Sequence, residues 1–465
     1  MPVLFSGLPK DIILEVSNHL TLPDPIHLLL TCSSVYHSLE NQRSFWISIL
    51  TTTRSLSTIA CPKHADLAQY SLASLKDLVF SWLKLQDNWN LPAPRLKHPV
   101  TSTSLSVPAD IISIVQGTDI LLLHPRDSGE VVCWDVKMAA PFPLPSIKTG
   151  GRIDGVSAPS ESYGICSIAI LTMEETAPHT ARRHVITIKH ENRKALTFES
   201  VSCQVSIPQG SHFASLFVTQ DLVGSVSVEE LQEHCTISTS NISSCEALEP
   251  SINLLKLHRP VSSIHDLMVS FAYEGHLYNL LEDGVSVQIQ HISRKSLASG
   301  HCEESTFSTS DNLSPSKARE PFCYILPSTP YYGVGAAFVR YIDDRSFSTI
   351  TLTFLPTTPT HVPSAPLAFN LPCPTQYIPG KLVSMSLLWM DHSGFNIAVV
   401  VDTDHGDPAL MLVRYHPETA STSAHQLSVP DAIHLYRLRS VCIDDTAGAV
   451  YLVDHLGVFW MLRYV

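Results

Sequence analysis

From about residue 111 to the end of the chain, short runs of Val, Ile, Leu and Phe return in groups, each run bounded by Gly, Asp, Asn or Ser. This recurrence limits the fold more than any other feature, because β-branched and aromatic runs between turn residues read as strands. One group holds runs 120–124 and 131–136, joined by Asp127-Ser128-Gly129. The next hold 163–171, 185–190 and 196–201, then 213–218, 222–228 and 235–240, then 267–273, 276–281 and 285–292. Three more hold 335–342 and 348–355, then 383–390, 395–402 and 410–415, then 440–443, 450–453 and 458–464. Equivalent runs recur roughly every 45–55 residues with one longer gap, the period of a β-propeller blade. A blade cannot bury both faces alone; stacking blades around an axis covers each face with its neighbour, and closing the ring hides the end faces. Seven blades at ~40–50 residues each fill residues 101–465, so the expected large domain is an all-β, seven-bladed β-propeller.

The first hundred residues follow a different period. Leu8, Ile12, Ile13, Val16 and Leu20 recur at three- and four-residue steps and share a helical face. Asp24-Pro25 opens a second helix, with Leu28, Leu29, Cys32, Val35, Tyr36 and Leu39 on its apolar side. Phe45, Trp46, Ile49 and Leu50 predict a short third helix, and a longer one is expected over 75–86 behind the capping pattern Ser74-Leu75-Lys76-Asp77. Three prolines between residues 90 and 99 place the junction with the strand region there. The expected organisation is thus a small all-α unit over 1–50, a helical linker over 51–100 and the β-domain over 101–465. Two stretches interrupt the period. Residues 293–321, rich in Ser, Thr and charge, read as a mobile loop carrying the phosphorylation candidate Ser314-Pro315. Residues 356–374 hold six prolines and read as an extended connector.

Charge narrows the partners. The net charge is −13, yet residues 1–100 carry eight Lys/Arg and seven Asp/Glu, so the acidity belongs to the β-domain. An acidic domain repels phosphate backbones and anionic lipid, and the expected partners exclude nucleic acid and membrane. No leading basic-then-apolar segment reads as a signal peptide, and no apolar run spans a bilayer. Eleven scattered cysteines without a CxxC pair fit reduced thiols in cytoplasm or nucleus.

Catalytic patterns are not evident. The chain holds no G-x-x-x-x-G-K-[ST], G-x-S-x-G or H-E-x-x-H. Gly333-Val334-Gly335 leads into a strand and reads as a tight turn. Asp402-Thr403-Asp404-His405-Gly406-Asp407 reads as a hairpin turn, and Cys61-Pro62-Lys63-His64 lacks a second pair for zinc. No catalytic residue, metal or cofactor is expected.

Leu8-Pro9-Lys10-Asp11-Ile12-Ile13-Leu14-Glu15-Val16, then Leu20, Asp24 and Leu28-Leu29-Leu30-Thr31-Cys32, then Val35-Tyr36, Leu39 and Phe45-Trp46 resemble the F-box family over about forty residues. Thr31-Cys32-Ser33-Ser34-Val35-Tyr36 is similar to the form frequent in fungal F-box proteins. Trp134-Asp135 resembles the end of a WD repeat, without echo in the other groups. The F-box resemblance implies binding to a Skp-type adaptor and, through it, to a cullin. It implies Leu8, Pro9, Ile12, Val16, Leu28, Leu30, Cys32 and Trp46 as the adaptor-binding surface. A unit of 40–50 residues is itself too small to bury its apolar residues well, which fits a partner-covered surface. The resulting expectation is the substrate-recognition subunit of an SCF-type ubiquitin ligase, non-catalytic, with the propeller holding an unidentified protein target. The alternatives are an F-box scaffold outside the ligase and a propeller hydrolase.

Overall fold

The computed structural model describes the chain except residues 1–8, 21, 57–58, 60, 62–64, 127, 175–176, 192, 207–210, 230–233, 246–251, 259–266, 283–286, 301–305, 311–322, 329–332, 345–346, 359–366, 370–372 and 404–405. Helices come first: α1 (Lys10–Asn18), α2 (Asp24–Leu29), α3 (Ser33–Leu39), α4 (Arg43–Leu56) and α5 (Leu72–Trp89). Their apolar faces meet in one core built from Ile13, Leu29, Leu39, Phe45, Trp46, Leu50, Leu75 and Val79. Helix α5 begins earlier than the sequence pattern predicts. Ser71 rather than Ser74 is its N-cap, its hydroxyl accepting from the Ser74 N–H at 3.1 Å. Either serine satisfies an orphan N–H; the earlier one gains a further turn.

The remainder is a seven-bladed β-propeller. Among the described residues, seven sheets of four or five antiparallel strands follow one another in chain order. Blades 1 to 6 occupy 109–148, 152–206, 211–258, 267–310, 323–379 and 381–426. Blade 7 takes Leu438–Asp444, Ala449–Asp454 and Val458–Arg463, and its fourth strand is Thr101–Ser104 from the far end of the domain. That strand pairs Thr101 with Met461 and Ser104 with Val458, closing the ring.

The core is distributed, with one apolar cluster between each pair of neighbouring blades. Leu122 and Val131 of blade 1 meet Ile168 and Ile186 of blade 2. Leu171 and Val185 meet Leu216 and Val223 of blade 3, and Val226 and Ile237 meet Leu277 and Ile292 of blade 4. Tyr278 and Leu280 meet Phe338 and Leu355 of blade 5, and Ile350 and Phe354 meet Ile397 and Val413 of blade 6. Leu410 and Leu412 meet Val441 and Leu452 of blade 7, which presents Tyr451 and Phe459 to Leu121 and Leu123 of blade 1. Because both faces of every sheet are covered, central strands lose the polar alternation: Ala449–Asp454 is buried throughout.

Asp residues at strand ends close several turns. Asp135 of the Trp134-Asp135 pair accepts from the N–H groups of Lys137 and Met138 at 2.9 and 3.0 Å, and Asp444 accepts from Thr446 and Ala447 at 3.0 Å each. The stretch 293–321 requires a correction. It carries helix α6 (Arg294–Ser299) and the outer strand Thr306–Ser310 of blade 4. Ser293 caps α6 at 3.2 Å and Gly300, at φ 69°, ends it, so short capping signals outweigh a polar composition. Ser314 lies outside the described residues.

Candidate functional site

Two surfaces stand out, one on the helices and one on the propeller. On α1, Ile13 and Ser17 turn inward, while Ile12 and Val16, one helical turn apart, are 46% and 37% exposed. Pro9, at the N-cap, is exposed beside them, and Leu30, just past α2, is 65% exposed. An i, i+4 apolar pair left outside a helix that already buries its other face is surplus to the fold. Leu28 and Cys32 are half-buried against the helical core. Trp46 is 0% exposed. Its Nε1 donates to the Glu40 carbonyl at 2.8 Å, its ring meets Phe45 edge-on at 5.3 Å, and Lys76 Nζ sits 5.6 Å from it. Trp46 is therefore a core residue of the helices and offers no surface to a partner. Leu8 lies outside the described residues. The structure thus leaves Pro9, Ile12, Val16 and Leu30 facing solvent out of the eight residues implied by the resemblance.

The second surface is a cleft of about 1530 Å3 between blades 1 and 2, reaching toward the propeller axis. Arg126, Lys148, Arg152, Arg182 and Arg439 line it, against the carboxylates of Asp110 and Glu130. Arg439 Nη2 donates to Asp110 at 2.5 Å, and Glu130 accepts from the Ser146 hydroxyl at 2.9 Å. Thr149 fastens the loop leading into blade 2, its N–H and hydroxyl both donating to the Gly129 carbonyl at 2.7 and 2.9 Å. At the next position but one only glycine fits, since a Cβ on Gly151 would sit 2.7 Å from the Met173 carbonyl oxygen. His184 forms part of the wall, 3.2 Å from the Thr172 hydroxyl. Burial, with help from the Arg182 charge, pushes its imidazole down to about 4, so it is neutral at pH 7. The cleft is a basic recess on an acidic protein, suited to a chain segment carrying carboxylates or other anions.

Sequence reading did not find this cleft. Its cations come from positions 126, 148, 152, 182 and 439, and only folding gathers them. Lys148-Thr149-Gly150-Gly151-Arg152, a glycine pair between two cations, was the one local signal.

The cleft and helix α5 lie at opposite rims of the ring. Asp110 and Arg439 begin inner strands, and His124 and Arg126 end the second strand of blade 1, whose Pro125 pairs with Ala109. Helix α5 meets the other rim. Gly448 in the first turn of blade 7 lies against Leu85, and the Asn88 side chain donates to the carbonyls of Arg95 and Tyr464. Arg414 of blade 6 donates to Gln86 Oε1 and Asn90 Oδ1, each at 2.6 Å, and to Asn396 at 3.0 Å, with Trp89 5.7 Å away. The N-terminal half of α5 thus packs in the helical core through Leu75 and Val79, and its C-terminal half packs between blades 6 and 7 through Leu85 and Trp89. One continuous helix, roughly 27 Å long at 1.5 Å per residue, joins the two parts.

Among the described residues no group of three or more His, Cys, Asp and Glu is placed to hold a metal ion. Asp402 and Gly406 belong to a turn held by the Tyr436 hydroxyl, which donates to both at 2.9 Å; Asp404 and His405 lie outside the described residues. Pro62, Lys63 and His64 do so as well, while Cys61 is buried. No helix among the described residues is long and apolar enough to cross a membrane.

No protein-family model matches the chain, and no curated protein matches it. Among solved structures, a chain from a crystal structure of a mitotic checkpoint complex aligns over 80% of this chain and 97% of its own, at 11% identity and a TM-score of 0.39. Raptor from Chaetomium thermophilum aligns over 94% of this chain and 36% of its own, at 10% identity and a TM-score of 0.42.

Proposed function

We propose that this chain is the substrate-recognition subunit of an SCF-type cullin-RING ubiquitin ligase, with the helices binding a Skp-type adaptor and the propeller holding a protein target. The observation that carries the reading is the solvent-facing apolar set Pro9, Ile12, Val16 and Leu30, which falls within the stretch resembling an F-box. Ile12 and Val16 are already more than half buried, so covering them completely contributes about 1 kcal/mol each. The basic cleft between blades 1 and 2 supports an acidic target segment as the propeller's cargo, against the expectation from net charge alone.

The mechanism is proximity. Residues of this chain need not touch the bond being made; they raise the local concentration of a target lysine near a charged ubiquitin carrier. A single helix shared by both cores joins the helical unit to the propeller, which favours this reading over a flexible tether. The reading also supports a place in the cytoplasm or nucleus, where such ligases act.

The test is binding of purified full-length chain to a recombinant Skp-type adaptor. The Ile12→Asp/Val16→Asp variant is expected to lose binding at least ~100-fold with unchanged urea unfolding, because exposed positions rarely move stability by more than ~0.5 kcal/mol. The Arg126→Glu/Arg182→Glu variant is expected to bind the adaptor normally and to lose the target. Failure of the unaltered chain to bind the adaptor overturns the proposal.

A further inference from the structure

The interface between blades 2 and 3 contains a buried cation that has no carboxylate beside it among the described residues. Arg183, on the strand Ala177–Glu191 of blade 2, is 0% exposed. Its guanidinium reaches into blade 3, donating from Nη1 to the Ser238 carbonyl at 2.7 Å and from Nη2 to the Ser240 hydroxyl at 2.7 Å, while Nε has no hydrogen-bond partner. Burial opposes its charge, and among the described residues the ionisable groups that favour it are the thiols of Cys203 and Cys245. A guanidinium stays protonated inside a protein, and a buried charge without a counter-ion is strongly unfavourable. The fold therefore calls for an anion at this point.

Cys203 is placed to supply it. It is the direct cross-strand partner of Arg183 on Lys194–Ser206, so the two side chains leave the same face of the sheet. Cys245 follows the short turn Ile242–Ser244 of blade 3 and packs in the same cluster as Cys203, within hydrogen-bonding reach of its sulfur. Both are 4% exposed. We propose that Cys203 and Cys245 are an oxidation-sensitive pair that closes to a disulfide across the blade 2–3 interface on meeting hydrogen peroxide, with Arg183 holding Cys203 as the attacking thiolate.

The electrostatics agree with the geometry. Cys245, whose S–H donates to the Asn241 carbonyl at 3.4 Å, lies beside Cys203, and with the Arg183 charge and the Ser240 hydroxyl it holds the Cys203 thiol below the ordinary range despite its burial. Cys203 and burial push Cys245 up, so that Cys203 is the member of the pair favoured as thiolate. Cys166 and Cys442 are buried without a neighbouring cation among the described residues, and burial pushes both well above the ordinary thiol range.

In the first step the Cys203 sulfur attacks one peroxide oxygen and the O–O bond breaks. Hydroxide leaves, takes a proton and becomes water, and Cys203 becomes a sulfenic acid. The Cys245 sulfur then attacks the Cys203 sulfur and the S–O bond breaks; the departing hydroxide carries off the Cys245 proton as a second water. Two thiols lose two electrons in all, and the peroxide gains them. The pairing stands apart from the ligase reading and holds whatever the propeller binds.

The test exposes the full-length chain to limiting hydrogen peroxide at pH 7, followed by alkylation in denaturant and non-reducing peptide mass spectrometry. The expected product is a Cys203–Cys245 cross-linked peptide pair, two hydrogens lighter than the free pair and split by dithiothreitol. It is expected to form at least ~10-fold faster than any oxidation of Cys166 or Cys442, given the difference in thiolate fraction. In the Cys245→Ser variant, Cys203 is expected to stop at the sulfenic acid and react with dimedone. Free Cys203 and Cys245 after Cys166 or Cys442 has been oxidised overturns the proposal, as does a Cys245→Ser chain that gives no dimedone adduct at Cys203.

Discussion

Arg414 fastens the propeller to α5, and replacing it with methionine tests how firmly. Its guanidinium makes three hydrogen bonds, to Asn396 within blade 6 and to Gln86 and Asn90 across the joint. Hydrogen bonds from a charged donor contribute roughly 1.5–3 kcal/mol each, about 5–9 kcal/mol together. Burial opposes them: it pulls the ionisation of Arg414 from 12.5 down to about 10. At ~1.4 kcal/mol per unit, desolvation therefore offsets about 3 kcal/mol. The expected loss for Arg414→Met is about 2–6 kcal/mol, read as a shift in urea unfolding followed by far-UV circular dichroism. Because two of the bonds end on α5, the loss should be shared with that helix. In a double-mutant cycle with Gln86→Ala, the coupling between the two sites should be about 1–3 kcal/mol. Protease cleavage within α5 should also quicken in the single variant. A loss below about 1 kcal/mol, or strictly additive effects, would refute the view that Arg414 locks the joint.

Three further outcomes follow from the packing. Trp46→Ala should cost about 3–5 kcal/mol in the melting of the helical unit, since it empties the centre of that core; unchanged melting would show that Trp46 is not packed there. His184 is held near 4 in the folded chain against 6.5 ordinarily, so only the unfolded chain takes a proton as pH falls through that window. Stability should fall by about 2 kcal/mol between pH 7 and pH 4.5, and urea midpoints for His184→Gln should lack this part of the slope. Gly224 faces Phe217 on the neighbouring strand, and a Cβ there would run into the phenyl ring. Gly224→Ala should therefore lower the urea midpoint by the equivalent of about 1–3 kcal/mol, and a variant as stable as the parent would contradict the close approach.

How much of this was readable beforehand varied with burial. The inner and middle strands announced themselves because both of their faces are covered, and Asn396–Asp402 and Ala449–Asp454 are almost continuous apolar runs. Outer strands did not. Thr101–Ser104 and Ser421–Gln426 are polar and largely solvent-facing, and only their hydrogen-bonded neighbours define them. Helical periodicity placed the helices, but it cannot say whether an apolar side chain faces its own core or a partner. Ile12 and Ile13 are adjacent and equally greasy, yet one is exposed and the other buried. Trp46 drew attention by type and proved internal. Apart from the Lys148–Arg152 segment the cleft cations carried no local pattern, since residues 126 and 439 line one cleft only because the ring closes.

Closure by Thr101–Ser104 has a consequence for biosynthesis. This strand leaves the ribosome about 350 residues before its partner Val458–Arg463. At about 5–20 residues per second, the waiting time is roughly 20–70 s, during which blade 7 does not exist and the growing stack presents a bare, sticky end. The helical core draws only on residues 13–79, so it can form while the chain is still being made, before the ring closes. Nascent chains would thus hold a finished helical core while the propeller is still open.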